Sequence, residues 1–212
     1  MLVAADSWRK KPYTAWDDTE VQKILNDSPW AREVDLISGD SGDVAHSISP
    51  LAGGGGGGDE GAMGGRGGGN GADGPRAPSL RLVVRFVSAL PVRQAMLRAR
   101  YGDQAGESAA AKALSTPDNY YVVALAGLRR LPADVQVVKE KSSLRAKGKN
   151  PYGPAQVLTE KGMIVLFFPR EGHPIAVEDG EVEVQVRLPD LVGPVRRSFK
   201  LKDMVYDGKL EL

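Results

Sequence analysis

The chain has 212 residues, a formal net charge of +1, no cysteine and 26 glycines. Without thiols there is no disulfide framework, no cysteine zinc site and no thiol nucleophile, and the near-neutral total points to no class of charged partner. Fourteen of the glycines fall between Gly53 and Gly74, so near-average globular sequence is interrupted by one polyglycine tract. No apolar run reaches the ~20 residues of a membrane-spanning helix.

The first 36 residues hold all three tryptophans, Trp8, Trp16 and Trp30. Asp17 is placed to cap a helix by accepting from the Glu20 N–H, and Glu20 to return the bond to the cap's own N–H. Trp16 before the cap and Val21 after the first turn have the spacing of a hydrophobic staple. Val21, Ile24 and Leu25 form one apolar face. Ser28 before Pro29 ends the helix. About nine residues of helix do not persist alone in water, so Trp16, Val21, Ile24, Leu25 and Trp30 are expected to dock on a surface. That surface is either the protein's own core or another protein.

Residues 37–79 show no apolar periodicity and are expected to act as a Gly-rich flexible linker. The division expected is therefore 1–36 as a Trp-rich segment, 37–79 as the linker and 80–212 as an α+β core. The charge divides likewise, with 7 basic and 12 acidic residues in 1–79 against 21 and 15 in 80–212.

Within 80–212, Leu80, Leu82, Val84 and Phe86 alternate as a strand. Pro91 opens a helix whose apolar side is Val92, Ala95, Met96 and Ala99, with Gly102 as terminator. Alanine content predicts a second helix around residues 107–114. Residues 120–125 read as a strand and 132–144 as a helix. Residues 156–159 and 163–168 flank a Lys161-Gly162 turn. The unbroken apolar run of 163–168 predicts a central strand covered on both faces. After an Asp179-Gly180 turn, Val182, Val184, Val186 and Leu188 alternate with polar residues, and a last strand runs over 195–201 with Phe199 and Leu201 inward. Five or six mostly antiparallel strands with two or three helices make the fold class α+β.

The chemistry-bearing patterns are sparse. Gly39-Asp40-Ser41-Gly42 has the letters of a serine-protease nucleophile loop, but no histidine precedes it and no scaffold surrounds it. The polyglycine tract lacks the flanking strand, helix and G-K-[ST] of a phosphate loop. His46 and His173 are the only histidines and do not make a metal site between them. No cofactor and no metal are implied. Glu178, Asp179, Glu181 and Glu183 lack the calcium-loop pattern and fit a turn leading into a solvated strand face.

Basic residues are the most suggestive feature. Lys139, Lys141, Arg145, Lys147 and Lys149 fall within eleven residues, with Tyr152 close by. Arg196, Arg197, Lys200 and Lys202 form a second group, and Arg81, Arg85, Arg93, Arg98 and Arg100 a third. On one face they would bind an anionic polymer or lipid headgroups. The interleaved aromatics and reading modules of nucleic-acid proteins are missing, so nucleic acid is not the expected partner. An enzyme would draw first on Lys147, Lys149, Tyr152 and His173.

Four segments carry a resemblance to a family. These are Lys11-Pro12-Tyr13-Thr14-Ala15-Trp16, Leu25-Asn26-Asp27-Ser28-Pro29-Trp30-Ala31, Ser88-Ala89-Leu90-Pro91-Val92-Arg93-Gln94-Ala95 and the final Phe199 to Leu212 (FKLKDMVYDGKLEL). Through them the chain resembles an uncharacterised family of bacterial proteins, many of them exported. No activity is assigned to that family, so the resemblance implies a bacterial, extracytoplasmic setting and no catalytic roles. Leu2-Val3-Ala4-Ala5 agrees with that setting, because Val3 and Ala5 fit the small residues of a signal-peptidase site. The expected function is that of a non-enzymatic accessory or binding protein. The alternatives are an enzyme with a carboxylate, lysine and histidine site built from loops, and an anion-binding module.

Overall fold

The structure, a computed structural model, describes residues 7–37, 79–107, 109–112, 114, 119–191 and 193–212. Gly39–Gly42, His46, the polyglycine tract and the Leu2–Ala5 stretch lie outside the described residues.

Two short 3-10 turns, Ser7–Lys10 and Tyr13–Ala15, lead into α1 (Asp18–Asn26). The cap is as the sequence predicts: Asp17 accepts from Glu20 N at 2.9 Å, and Glu20 accepts from Asp17 N at 3.1 Å. Trp16 and Val21, the staple pair, are both buried. The chain then enters β1 (Ala31–Ile37), which pairs antiparallel with β2 (Ser79–Phe86) from Ala31↔Arg85 to Ile37↔Ser79. The boundary at residue 36 thus runs through a strand. The Trp-rich segment and the rest share one hydrophobic core, and the division into an arm and a separate core does not describe these residues.

A helix α2 (Leu90–Tyr101) follows, with Pro91 in its first turn and Gly102, at φ +56°, closing it. In the stretch expected to be helical over 107–114, a 3-10 turn Gly102–Gly106 precedes the four-residue α3 (Ala109–Lys112). β3 (Tyr120–Ala126) is next. The region read as helix over 132–144 is instead α4 (Val135–Lys141) followed by β4 (Ser143–Ala146). The helix stops because Ser142 becomes extended, and its hydroxyl accepts from Arg187 N at 3.1 Å.

β5 (Gln156–Glu160) and β6 (Met163–Pro169) form a hairpin. Lys161 and Gly162 supply the two positive φ angles (48° and 76°) that its tight two-residue turn requires. β7 (Glu181–Val186), β8 (Val195–Lys200), a 3-10 turn Leu201–Met204, and the hairpin β9 (Val205–Tyr206) and β10 (Lys209–Leu210) complete the chain. Leu201 points inward, as expected, but from this turn and not from the strand.

The larger sheet has the order β1-β2-β3-β6-β5 and the smaller β4-β7-β8, and every pairing is antiparallel. The fold is α+β. Leu82, Val84, Phe86, Val123, Leu125, Ile164, Leu166 and Phe168 project from one face of the larger sheet. They share a core with Leu144, Val182, Val184, Val186, Val195 and Phe199 of the smaller. Phe86 and Phe199 meet edge to face across this interface, 5.1 Å between centroids. β6 is central, between β3 and β5, but only its alternate residues Ile164, Leu166 and Phe168 are buried. The strand covered on both faces is β3, buried continuously from Tyr121 to Leu125.

α1 and α2 sit on the other face of the larger sheet, where Arg85 donates to Asn26 and α1 packs against α2, β1 and β2. An aromatic cluster joins them to the C-terminal turns. Trp8 meets Trp16 and Trp30 edge to face at 5.8 and 5.9 Å and stacks on Tyr206 at 6.1 Å. Two of the indole N–H groups are satisfied by backbone: Trp16 Nε1 donates to Trp8 O at 2.9 Å and Trp30 Nε1 to Glu211 O at 2.8 Å. Glu211 also accepts from Leu90 N at the open end of α2, and Arg98 donates to Trp16 O. Segments 11–16, 25–31, 88–95 and 199–212 therefore meet here.

Candidate functional site

α1 keeps none of its docking face for a partner. Trp16, Val21, Ile24, Leu25 and Trp30 are all buried against the protein's own core.

The predicted basic constellation divides. Lys139 and Lys141 occupy the last turn of α4, where cations complement the helix dipole. Arg145, Lys147 and Lys149 come from β4 and the turn after it. They line one cavity of about 330 Å³ with Gly148, Glu181, Glu183 and Ser198. Two of the four acidic residues read in the sequence as a turn and a strand face, Asp179 and Glu183, are partners of two of these cations. Arg145 pairs with Glu183 at 3.1 Å and Lys149 with Asp179 at 2.6 Å. Lys149 also donates to Pro174 O at 2.7 Å. The Lys149 ammonium and the Ala176 N–H hold the Asp179 carboxyl below the usual carboxylate range. The pair ties the β4 turn to the loop that precedes β7, and the lysine is the cationic half of an ion pair.

His173 lies in the loop Gly172-His173-Pro174. Its ring is half-buried and stacks on Tyr152, with centroids 3.8 Å apart and planes 6° from parallel. Tyr152 in turn meets Phe168 edge to face and bridges Leu144 through backbone bonds of 2.9 and 3.1 Å. Below them, Tyr121 accepts from Ile175 N and donates to His173 O, while the Arg170 guanidinium lies over the Tyr121 ring at 4.2 Å. The Tyr152 hydroxyl is buried with no hydrogen-bond partner among the described residues. Burial, with a smaller contribution from Tyr121, pushes its ionisation well above that of an ordinary phenol. A phenol in that state is a poor general base at neutral pH. These groups clamp the loop over residues 170–176.

Two concavities were missed by sequence reasoning because distant segments build them. One, of about 450 Å³, is lined mainly by apolar atoms of Leu25, Met96, Leu97, Ala99 and Tyr101, with Arg100 and Lys161 at its margins. The other is a polar cleft of about 480 Å³. It is lined by Arg9, Lys23, Asp27, Ser28, Pro29, Arg32, Lys202, Asp203 and Val205. Of its four cations only Lys202 belongs to one of the three basic groups read from the sequence. Arg9 heads the run Arg9-Lys10-Lys11, while Lys23 and Arg32 stand apart from other basic residues, and no local pattern could have assembled the four.

Among the described residues no group of three His, Asp or Glu side chains is placed to hold a metal ion, and no helix is long and apolar enough to cross a membrane. No known protein family, curated protein or solved structure matches this chain.

Proposed function

We propose that this is a non-enzymatic binding protein of the bacterial extracytoplasmic type. One observation carries the reading. Three of the four residues an enzyme would draw on are packed into loop contacts: Lys149 on Asp179 and Pro174, His173 on the Tyr152 ring, and the Tyr152 ring between His173 and Phe168, while Lys147 lines an exposed concavity. Catalysis by nucleophile and base needs the two within hydrogen-bond reach of each other and of a reacting atom. Here the most shifted phenol is shifted away from reactivity. The open concavities are lined by groups that hold a ligand by charge or apolar contact. The resemblance to exported bacterial proteins supports the compartment.

The test is turnover. Purified full-length protein should hydrolyse activated esters and phosphate monoesters no faster than a His173→Ala or Lys147→Ala variant, and no faster than buffer. A wild-type rate that disappears in either variant, with the fold intact by circular dichroism, would mean that the loop cluster is catalytic and that the binding reading is wrong.

A further inference from the structure

We propose that the hollow between α1, α2 and the tip of the β5–β6 hairpin binds a single-chain anionic amphiphile of the fatty-acid class. This deepens the binding reading and rests on it. The sequence gives α2 an apolar side of Val92, Ala95, Met96 and Ala99, but the core takes only Val92 and Ala95. Met96 stays 41 % exposed, and Ala99 is exposed as well. With the half-buried Leu97 and Tyr101, and with Leu25 of α1, they wall the hollow of about 450 Å³. An apolar stripe wider than its own core covers is surface left for a ligand. Lys161 brings the hairpin tip to the same hollow. Farther along that hairpin, Leu158 lies in one cross-strand row with Arg85, Ala124 and Val165, on the sheet face that carries α1 and α2. Leu158 is 44 % exposed, so apolar surface continues beyond the hollow. The volume lies in the range of small-molecule sites, which are mainly apolar with a few placed polar groups.

Those polar groups are cations. Arg100 and Lys161 stand at the margin, and no carboxylate is among the described residues that line the hollow. The Arg100 guanidinium lies over the ring of its neighbour Tyr101 at 5.3 Å and has no hydrogen-bond or ion-pair partner among the described residues. Arg98, in the same last turn of α2, is taken by Trp16 O and Asp103. Lys161 pairs with Glu160 at 3.3 Å, with both side chains largely exposed. Water weakens such a pair, and an ammonium has three N–H groups to share. Counting Glu160, the margin keeps one positive charge, which matches a monocarboxylate. The chain of the ligand leaves water along Met96 and Leu97, and its carboxylate stays at the wet margin beside Arg100 and Lys161. A cationic head would meet like charge there. A second copy of this protein, centred on the hollow by twofold symmetry, would set the two cations against their own images.

Titration calorimetry on the full chain at low salt, with decanoate as the probe, tests this directly. Decanoate should bind about fivefold or more tightly than octanoate, because two further methylenes leave water. It should also bind more tightly than decyltrimethylammonium. Met96→Glu, at an exposed position, should lose about tenfold or more in decanoate affinity with its circular dichroism unchanged. A combined Arg100→Gln, Lys161→Gln variant should abolish the preference for decanoate over decyltrimethylammonium. Lys200→Gln, exposed on β8, should change nothing. Absence of decanoate binding, equal binding by Met96→Glu, or a double variant that keeps the preference overturns the proposal. Sedimentation reads the other occupants. A wild-type dimer that Met96→Glu dissociates makes the hollow an interface between copies. Pelleting with phosphatidylglycerol vesicles that Met96→Glu removes, without decanoate binding, makes it a membrane contact. Either result overturns the single-chain ligand. An empty hollow alongside blank turnover assays removes this site alone. Turnover that is lost with His173 removes the binding reading as well.

Discussion

Glu20 does two jobs at the entrance of α1. It completes the cap, and it accepts from Ser7 Oγ at 2.6 Å and Lys11 Nζ at 2.9 Å, tying the N-terminal turns to the helix. Lys11 above all, then Ser7, lowers its carboxyl from 4.5 to about 2. A depressed folded-state value means stability that is complete above the unfolded value near 4.5 and is lost as pH falls toward 2. Glu20→Gln should cost about 1–2 kcal/mol at pH 7, discounted because Lys11 is half-exposed. The gap between wild type and variant should shrink between pH 5 and pH 2.5. Urea midpoints at the two ends of that range check it, and a gap that stays constant would show that the charge of Glu20 is not what matters. Tyr152 and His173 make the complementary point. Both residues were visible in the sequence as chemistry-bearing, but their proximity was not, because residues 152 and 173 belong to separate loops that meet only when β5 and β6 have folded between them.

Among the elements, those with strong local signals match the sequence reading closely. α1 has its predicted cap and length, α2 its proline start and glycine end, and β7 its alternation, because each is specified by side chains within one or two turns of each other. β1 went unread. Among its described side chains Ala31 and Val34 are buried and Leu36 is half-buried, while Glu33 and Asp35 face Arg81 across the pair at 3.6 and 3.2 Å. An edge strand with charged outward residues carries little apolar alternation. The β9–β10 hairpin did carry a signal, Asp207-Gly208, whose φ angles of 48° and 77° are those of a two-residue hairpin turn. The register of β1 on β2 has a consequence for the segment between them. Ile37 and Ser79 are direct partners, so a tight turn can join them. Replacing residues 38–78 with a four-residue Asn-Gly loop should preserve the fold. It should also raise stability by about 2 kcal/mol, the loop-closure entropy of shortening 41 residues to four. Chemical denaturation measures this, and a loss of stability would show that residues 38–78 contribute contacts of their own.

For the molecule as a whole, the Trp-rich segment belongs to the core. Each buried tryptophan removes roughly 150–250 Å² from water, and truncating a large aromatic to alanine costs about 3–5 kcal/mol. Three of them together rival the roughly 5–15 kcal/mol that stabilises a typical domain. Residues 80–212 expressed alone should therefore lack cooperative unfolding. Added residues 1–37 should restore it by supplying β1 and the tryptophans, and near-ultraviolet circular dichroism of the mixture reads that restoration. A stable, cooperatively melting 80–212 fragment would reinstate a separable domain. Trp16, Trp30, Ala89, Val92, Leu201 and Tyr206, from segments far apart in the chain, all pack in this one core.

By itself the sequence determined the fold class, the caps, most strands and the absence of thiol chemistry, since these depend on composition and on neighbours within a few residues. It also showed 12 acids against 7 bases in residues 1–79 and the reverse excess beyond them. The tertiary structure decided what those charges do. Arg145 and Lys149 are matched by Glu183 and Asp179 within 80–212. Arg9, Lys23 and Arg32, from the acidic part of the chain, gather with Lys202 around a single cleft. Charges act through space over a few ångströms, and residues 9 and 202 become neighbours only when β1 enters the sheet and the C-terminal turns close over the tryptophans.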